Sequence, residues 1–556
     1  MDRQEIKKKA IAEYTWWLSA AQDTETRAGL RALADNEDEL IDAFCSHLRF
    51  GTSGIRGILG VGTNRMNEYV VRRTTQGLAN YLNRACDGQP KVVISFDSRQ
   101  KSDVFALETA KVLRGNDIEV HLFAHLAPVS VLSYAIRALG CDMGIMITAS
   151  HNPKIFNGYK VYGSDGYQIV GDVPGAVLSE IDKLDFFSGI RESDEGILTV
   201  SEDVSKGFCR DVIHMSGAGG VLGPRLNDLS VVYTPLNGTG NRYVRKVLSG
   251  IGFTNLTMVD CQELPDPEFS TCPAPNPEKI TAYNEGFKTL DTVKGDIIVA
   301  TDPDCDRVGV SIYHDGMKVL LTGNQLGVLM LDYLCHVRPP EKNQFIIKSI
   351  VTTPLAEKIA ERYGLRVVNT LTGFKYIGET ITKLEREGRL DEYYFGFEES
   401  NGYLMDPFIR DKDGVSSAML AVEVAAWCKA DGKDLIERLN ELYGQYGVCR
   451  DKTWNYFFEG PYGKMVMSDV MHYFRTALAE GCAIGGRTVV SKTDYMEETG
   501  LPKSNVLAYQ LEGGTQMIIR PSGTEPKIKV YVFEAESSTQ LQREIEEIME
   551  KFKETI

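Results

Sequence analysis

Ser150 lies in Thr148-Ala149-Ser150-His151-Asn152-Pro153, directly after the apolar run Met143-Gly144-Ile145-Met146-Ile147. A serine just past the carboxyl end of a buried strand sits where open α/β sheets bind their ligands, and the following Asn-Pro disfavours a helix. Ser150 is therefore a candidate nucleophile, although Thr-Ala-Ser also suits a turn or a helix cap. His151 is adjacent, but neighbouring side chains on extended chain point to opposite sides, so it is expected to support the serine and not to act as its base. Asn157-Gly158 reads as a turn. Further along, Asp302, Asp304 and Asp306 place three carboxylates in five residues, which repel one another unless a cation neutralises them. An EF-hand is excluded, because Arg307 and Tyr313 occupy its obligatory glycine and glutamate positions. A solvated acidic turn is the competing reading. Mg²⁺ prefers a few carboxylates plus a phosphate oxygen, so three aspartates leave room for a phosphorylated partner.

Two further segments have the chemistry to hold phosphate. Gly51-Thr52-Ser53-Gly54-Ile55-Arg56-Gly57 combines exposed backbone N–H groups with the bidentate fork of Arg56. Arg520-Pro521-Ser522-Gly523-Thr524-Glu525-Pro526 combines an arginine, two hydroxyls and a glycine between two strand-like runs. Each is equally compatible with an ordinary turn. Glu398 and Ser400, in Glu398-Glu399-Ser400-Asn401-Gly402, have the groups to bond vicinal sugar hydroxyls. Lys412, in Arg410-Asp411-Lys412-Asp413-Gly414, is a proton shuttle if its pKa is lowered, and a member of a surface ion-pair cluster otherwise.

Placing these residues requires a scaffold, and the apolar pattern supplies one. Residues 3 to 48 have helical spacing among charges (Ile6, Ala10, Tyr14, Trp17, then Leu30, Leu33, Leu40, Phe44). From residue 70, helix and strand alternate: helices Val70 to Arg84, Val104 to Leu113 and Val131 to Leu139, with strands Val92 to Phe96 and Val120 to Phe123, lead to the strand before Ser150. A second unit begins at Leu229 and reaches the strand Asp296 to Ala300 before the aspartates. A third holds the strands Phe345 to Val351, Val367-Val368 and Tyr393 to Phe397, the last preceding Glu398. Such alternation implies largely parallel, helix-covered sheets. A long helical stretch over Val415 to Tyr443 leads to a segment of different pattern, with antiparallel strands Val506 to Leu511, Gln516 to Arg520 and Lys527 to Phe533 and a final helix Leu541 to Phe552. The fold class is thus three similar α/β units with mixed, mostly parallel sheets plus a C-terminal α+β domain. The divisions are a helical extension over 1–45 and domains over 46–210, 211–320, 321–448 and 449–556.

The 556 residues carry 61 Lys+Arg against 77 Asp+Glu, a net charge of −16, which argues against a nucleic-acid partner. The eleven cysteines are scattered without a CxxC pair, so neither a disulfide framework nor a zinc site is expected. A charged opening, Met1-Asp2-Arg3-Gln4-Glu5, and no apolar run of about 18 residues predict a cytoplasmic protein without a membrane partner.

Five motifs, Gly51 to Gly57, Thr148 to Pro153 with Asn157-Gly158-Tyr159-Lys160, Asp302 to Arg307, Gly396 to Gly402 and Arg520 to Pro526, occur in one order from about residue 45 to the end. Together they resemble the α-D-phosphohexomutase superfamily, in particular its phosphoglucomutase and phosphopentomutase branches. The resemblance implies four domains around a central cleft, a phosphorylated Ser150, and Mg²⁺ held by that phosphate with Asp302, Asp304 and Asp306. It implies that Thr52, Arg56 and Arg307 touch the phosphoserine or a bisphosphate intermediate, with Arg56 counted among the catalytic groups. Glu398 and Ser400 would grip sugar hydroxyls, and Arg520, Ser522, Gly523 and Thr524 the non-reacting phosphate. Lys160 and Lys412 match positions with acid/base or electrostatic roles. Thr372-Gly373, before Phe374-Lys375, matches the Thr-Gly-aromatic-Lys loop of the phosphoglucomutases. A histidine that other branches carry after Glu-x-Ser-Gly is missing, and Glu398-Glu399-Ser400 with Arg410 to Gly414 follows the phosphoglucomutase pattern instead. The activity so implied interconverts glucose 1-phosphate and glucose 6-phosphate, with glucose 1,6-bisphosphate as activator, in a monomer or homodimer whose last domain hinges. Mannose or pentose phosphates on the same site, and a non-catalytic sugar-phosphate sensor, are the alternatives.

Overall fold

The computed structural model of the protein describes residues 3–51, 54–458, 463–522 and 526–554. Three mixed α/β sheets are followed by an antiparallel half-barrel. In the first sheet the parallel strands Met143–Ile147, Lys91–Phe96, Glu119–Leu122 and Ile197–Thr199 lie side by side, and Phe156–Gly163 and Gly54–Ile58 join the Met143–Ile147 edge antiparallel. The second pairs Leu256–Met258, Val231–Thr234 and Ile297–Thr301 in parallel, then adds Val308–His314 and Met317–Leu320 antiparallel. The third pairs Arg366–Thr370, Phe345–Ser349 and Tyr393–Glu398 in parallel and adds Gly402–Leu404 antiparallel.

One local plan recurs in all three sheets. A buried parallel strand ends in a short loop, and the chain returns antiparallel beside it: Met143–Ile147 into Phe156–Gly163, Ile297–Thr301 into Val308–His314, Tyr393–Glu398 into Gly402–Leu404. Each loop contains one non-glycine residue in the left-handed region, Ser150 (φ 52°), Cys305 (φ 51°) and Asn401 (φ 61°), a conformation held only where the surroundings over-determine it.

The return strands correct the turn expected at Asn157-Gly158. Both residues lie within Phe156–Gly163, paired with Gly57 and Arg56. Gly158 is sandwiched between strands, and a Cβ there would sit 2.6 Å from the Thr148 carbonyl oxygen, so glycine marks a close backbone approach and not a reversal. The long helical stretch expected over Val415 to Tyr443 consists of two helices, Gly414–Ala430 and Leu435–Tyr446, separated at Gly432 (φ 74°) and restarted by a capping box on Asp434. Gly414–Ala430 is buried on nearly every face, as a helix apolar all round must be. The helix Glu202–His214 runs through residue 210.

Residues 3 to 48 form the helices Arg3–Ala20, Thr24–Leu33 and Glu37–Phe44. Their Trp17, Leu30 and Phe44 share one apolar cluster with Val92, Ile145 and Tyr159 of the first sheet. Asp23 and Asn36 cap the second and third of these helices through their side chains. A second, larger cluster runs without a break from Val93 and Met146 through Val231 and Val299 to Ile346, Phe397 and Leu442, so the three sheets share a core. The half-barrel, Arg450–Phe457, Lys527–Glu534, Thr515–Pro521, Leu507–Leu511, Arg487–Asp494 and Ala483–Ile484, has a core of its own closed by Gly463–Ala477 and Thr539–Lys553. It meets the third sheet through a small apolar seam of Ile350, Val351 and Leu371 against Val506, Ile518, Tyr531 and Phe533.

Candidate active site

The three return loops converge. Ser150 Oγ donates to Asp302 Oδ2 at 2.8 Å, joining the first loop to the second. Backbone bonds stitch the second loop from both sides: Val129 N donates to the Asp304 carbonyl and Gly414 N to the Cys305 carbonyl, each at 3.0 Å. Asn401 exchanges bonds with Val308, its Nδ2 donating at 2.9 Å and its carbonyl accepting at 3.1 Å. The aspartate loop is thereby held by all three sheets.

Ser150 is buried, and a network beneath it sets its geometry. Its N–H donates to Thr148 Oγ1 at 2.8 Å, and that hydroxyl donates to Asp97 Oδ2 at 2.6 Å. Arg99, fully buried and ion-paired with Asp97 at 3.2 Å, donates to the carbonyls of Ser150, Asn152, Pro153 and Phe156. One guanidinium thus gathers four carbonyls of the serine loop, which its planar fork of five donors suits. Asp97 and Arg99 follow the strand Lys91–Phe96 at its carboxyl end, the position where such sheets place functional loops. Arg56, on Gly54–Ile58, donates to Asn152 Oδ1 at 3.2 Å. His151 does not point away from the serine. Because Ser150 is left-handed and not extended, His151 Nδ1 comes within 3.2 Å of Ser150 Oγ. Burial, then Arg307, Arg56 and Arg99, push the His151 pKa far down, so the imidazole is neutral.

Asp302, Asp304 and Asp306 each offer a carboxylate oxygen within 4.8 Å of the others, all buried. Asp302 Oδ1 accepts the N–H groups of Asp306 and Arg307 at 3.1 Å, while Asp304 Oδ1 and Asp306 Oδ1 are buried without a hydrogen-bond partner. Burial and the charges of Asp304 and Asp306 push Asp302 well above the usual carboxylate range. Two buried oxygens without a partner beside a third carboxyl that resists ionisation form an all-oxygen donor set that fits a hard divalent cation.

Two lysines meet the opposite side of the triad. Lys160 Nζ lies 2.7 Å from Asp304 Oδ2 and 3.4 Å from Asp306 Oδ2. Lys412 Nζ lies 3.3 Å from Asp306 Oδ2 and 3.1 Å from Asp411 Oδ1. Burial opposes the charge of Lys412, but Asp306, Asp411 and Glu398 outweigh it and its pKa is raised; Lys160 is raised likewise against burial by Asp304 and Asp306. Lys412 is buried, so it is not a member of a surface ion-pair cluster. Arg307 pairs with Glu278 and lies 3.7 Å from Asp306.

Four family descriptions match the chain in order: the alpha/beta/alpha domains I, II and III of phosphoglucomutase/phosphomannomutase over residues 47–188, 223–315 and 322–446, and its C-terminal domain over 486–551. The chain belongs to the phosphoglucomutase/phosphomannomutase family. It is 36% identical to a phosphoglucomutase of Staphylococcus epidermidis over 502 residues, covering 87% of this chain and 90% of the relative. It is 34% identical to a phosphoglucomutase of Staphylococcus aureus over 534 residues, covering 93% and 94%. Among solved structures, the Paramecium exocytosis-sensitive phosphoprotein pp63/parafusin in its open form aligns with TM-score 0.67 at 17% identity (92% of this chain, 95% of that one). A phosphoglucomutase/phosphomannomutase family protein of Burkholderia thailandensis aligns with TM-score 0.64 at 17% identity (91% and 98%). These structures share the fold, and the curated relatives place the chain among phosphohexomutases of the phosphoglucomutase type.

In this mutase the residues expected to meet the sugar come together from separate elements. Glu398 Oε1 accepts the Gly373 N–H at 2.7 Å, tying the Thr372-Gly373 turn to the end of Tyr393–Glu398. Thr372 Oγ1 is buried without a partner, and Ser400 stands two residues beyond Glu398 in the same loop. Lys412 Nζ lies 5.4 Å from the Phe374 ring centre. Burial and Glu399 push the Glu398 carboxyl up to about 7. Arg520 pairs in register with Lys529 on the neighbouring strand of the half-barrel, and its charge acts on Glu398 and Glu399 from across the seam. Ser522 N donates to the Lys527 carbonyl at 2.8 Å, closing the base of the Arg520 to Pro526 loop. Thr52, Gly523 and Thr524 lie outside the described residues. Sequence reasoning did not single out Asp97, Arg99, Glu278 or Lys529, and it named Glu399 only within the Glu398 to Gly402 motif. Of the first four, only Lys529 had a local signal, its alternation with Lys527 on a strand beside the Arg520 loop. Among the described residues no helix is long and apolar enough to cross a membrane.

Proposed function

We propose that this mutase is a cytoplasmic enzyme that interconverts α-D-glucose 1-phosphate and glucose 6-phosphate through a phosphorylated Ser150 and a glucose 1,6-bisphosphate intermediate. The observation that carries the proposal is the 2.8 Å bond between Ser150 Oγ and Asp302, inside a carboxylate triad with two unpartnered oxygens. When bound by Asp302, Asp304, Asp306 and the Ser150 phosphate, Mg²⁺ would neutralise charge on the phosphoryl group in transfer. Phosphoryl transfer asks a protein for in-line positioning and charge compensation above all, and the side chains divide that work. Arg99 and Asp97 hold the serine loop rigid. Lys160 and Lys412, kept protonated by the aspartates, supply positive charge next to the transferring oxygens. Glu398, Ser400 and the Thr372-Gly373 turn orient the sugar ring, and Arg520 with Ser522, Gly523 and Thr524 holds the phosphate that is not reacting. Thr52, Arg56 and Arg307 complete the anionic end.

In the forward direction the P–O bond to Ser150 Oγ breaks as one forms to O6 of glucose 1-phosphate, and the proton that O6 gives up ends, in balance, on the released Ser150 Oγ. The bisphosphate then turns end for end and returns its 1-phosphate to Ser150, with glucose 1,6-bisphosphate re-priming any unphosphorylated serine. We place one working loop in each of four domains, the helical segment 1–45 preceding the first. The test is kcat/KM on glucose, mannose, ribose and deoxyribose 1-phosphates side by side. Glucose 1-phosphate is expected to lead, and a large preference for ribose 1-phosphate would overturn the substrate assignment. Intact mass before and after phosphatase treatment reads the Ser150 phosphoryl group directly.

A further inference from the structure

A cavity of about 240 Å³, distinct from the cleft, opens where the first helix meets the first domain, lined by Lys9, His47, Leu48, Arg49, Arg73 and Asp182 among others. Arg73 is the unusual member. It is 6% exposed, its Nε donates to the Leu184 carbonyl at 2.9 Å, and its guanidinium stands 4.6 Å from the Phe186 ring centre. Neither Nη nitrogen has a hydrogen bond, and no carboxylate pairs with the guanidinium among the described residues. Asp182, Asp185 and Glu13 act on it only from a distance, and Glu13 itself faces His47 at 3.5 Å. The Nη nitrogens are not sealed from solvent: the forked end of this largely buried side chain opens on the cavity, and the fork matches a phosphate oxygen pair.

We propose that this cavity is a second anion site, taking free phosphate or the phosphate of a small phosphate monoester between Arg73, Arg49 and Lys9. Its volume is below the range of roughly 300–1,000 Å³ common for larger organic ligands, which favours a compact phosphate over a nucleotide. The site is joined to the chemistry by a short path. Leu48 packs on Gly57, where a Cβ would lie 3.1 Å from the leucine methyl carbons, and Gly57 adjoins Arg56, which donates to Asn152 of the serine loop. An anion that braces residues 45 to 49 therefore also braces the strand that carries Arg56. The site would report phosphate or sugar-phosphate concentration to the cleft without entering it.

Hydrogen exchange on the full chain tests this. Inorganic phosphate, compared with sodium chloride at equal ionic strength, is expected to slow exchange in peptides covering residues 5–13 and 45–49. The slowing should reach about tenfold when free phosphate is roughly ten times its dissociation constant. Arg73→Gln and the exposed Arg49→Gln should each abolish or sharply weaken that slowing while leaving the response of residues 302–307 intact. Arg49→Gln and Lys9→Gln decide the matter if Arg73→Gln does not fold. Equal protection by phosphate and glucose 6-phosphate identifies the phosphate group as the whole ligand, and stronger protection by the ester adds recognition of its sugar. Slowing that chloride reproduces, or that survives both arginine substitutions in folded protein, overturns the proposal. Because the readout is local to residues 5–13 and 45–49, it is independent of which sugar the cleft turns over.

Discussion

The aspartate loop and the Arg520 loop both handle phosphate in this reading, yet the protein builds them in opposite ways. Asp302, Asp304 and Asp306 are at most 2% exposed and are bonded from the first and third sheets as well as their own. The core beneath them is continuous through three sheets. Arg520 and Ser522 are only half-buried, on a half-barrel with a separate core that meets the rest through a seam of seven buried residues. The difference teaches where the enzyme needs rigidity. Transfer geometry tolerates errors well under 1 Å, so its groups are over-determined. In the proposed reaction the grip on the distal phosphate has to open for a bisphosphate to turn around, and a small apolar seam between two complete cores is suited to hinge motion.

Substitutions can break or sharpen that contrast. The largest effect is expected at the rigid loop: Ser150→Ala should lower turnover by roughly 10⁴-fold or more, EDTA should do the same to the wild type, and added Mg²⁺ should restore only the latter. A coupled assay for glucose 6-phosphate that finds Ser150→Ala within tenfold of wild type would remove the nucleophile. Next, Trp17→Ala, which empties a fully buried site among Phe44, Tyr69, Phe186 and Phe187, should cost about 3–5 kcal/mol. If the two cores are independent, calorimetry will show the loss in the three-sheet transition alone; a shift of a single shared transition would mean that the seam couples them fully.

At the Arg520 loop the expected effect is smaller and of another kind. Arg520→Ala removes charge-assisted bonds worth about 1.5–3 kcal/mol, so KM should rise roughly 10- to 100-fold with the melting temperature unchanged. A fall in kcat at constant KM would show instead that this loop helps place the reacting phosphoryl. Glu398 gives the pH dependence. Its carboxyl is raised to about 7 by burial and Glu399, so the hydrogen-bond-accepting carboxylate dominates only above that pH. kcat/KM should climb as pH rises through about 7, and Glu398→Gln should flatten that limb; a limb that persists in the variant belongs to another group. The smallest effect is expected in the seam, where the Tyr531 hydroxyl is buried with no partner. Tyr531→Phe should leave stability unchanged or gain up to about 1 kcal/mol, and a loss beyond that would reveal a hydroxyl contact made in the closed form.

Much of the scaffold was legible in advance because it obeys period. Val92 to Phe96, Met143 to Ile147 and Asp296 to Ala300 are apolar runs of strand length between amphipathic stretches, and all three lie in buried parallel strands. Two of the three return strands are illegible because their residues satisfy neighbours and not propensity, whereas Val308–His314 does carry the β-branched alternation of a strand. Phe156–Gly163 carries Asn-Gly where another backbone approaches, and Gly402–Leu404 is too short for any pattern. The direction of His151 is illegible for a related reason, since it depends on a left-handed Ser150 held by Thr148 and by Arg99 closing on four carbonyls.

Residue types and local spacing alone settled which groups are capable of chemistry here: a serine at a strand end, three aspartates too close to coexist without a cation, and an arginine in a turn between strands. Only the tertiary structure decided how they meet. Lys160 and Lys412 reach the same aspartates from two different sheets, Glu398 closes on the Gly373 turn, and Arg73 is left with its fork unpartnered. The physical reason is that the loops themselves carry little packing energy. They are brought together by a hydrophobic core shared among three sheets, and that core is a sum of long-range contacts to which no local stretch of sequence bears witness.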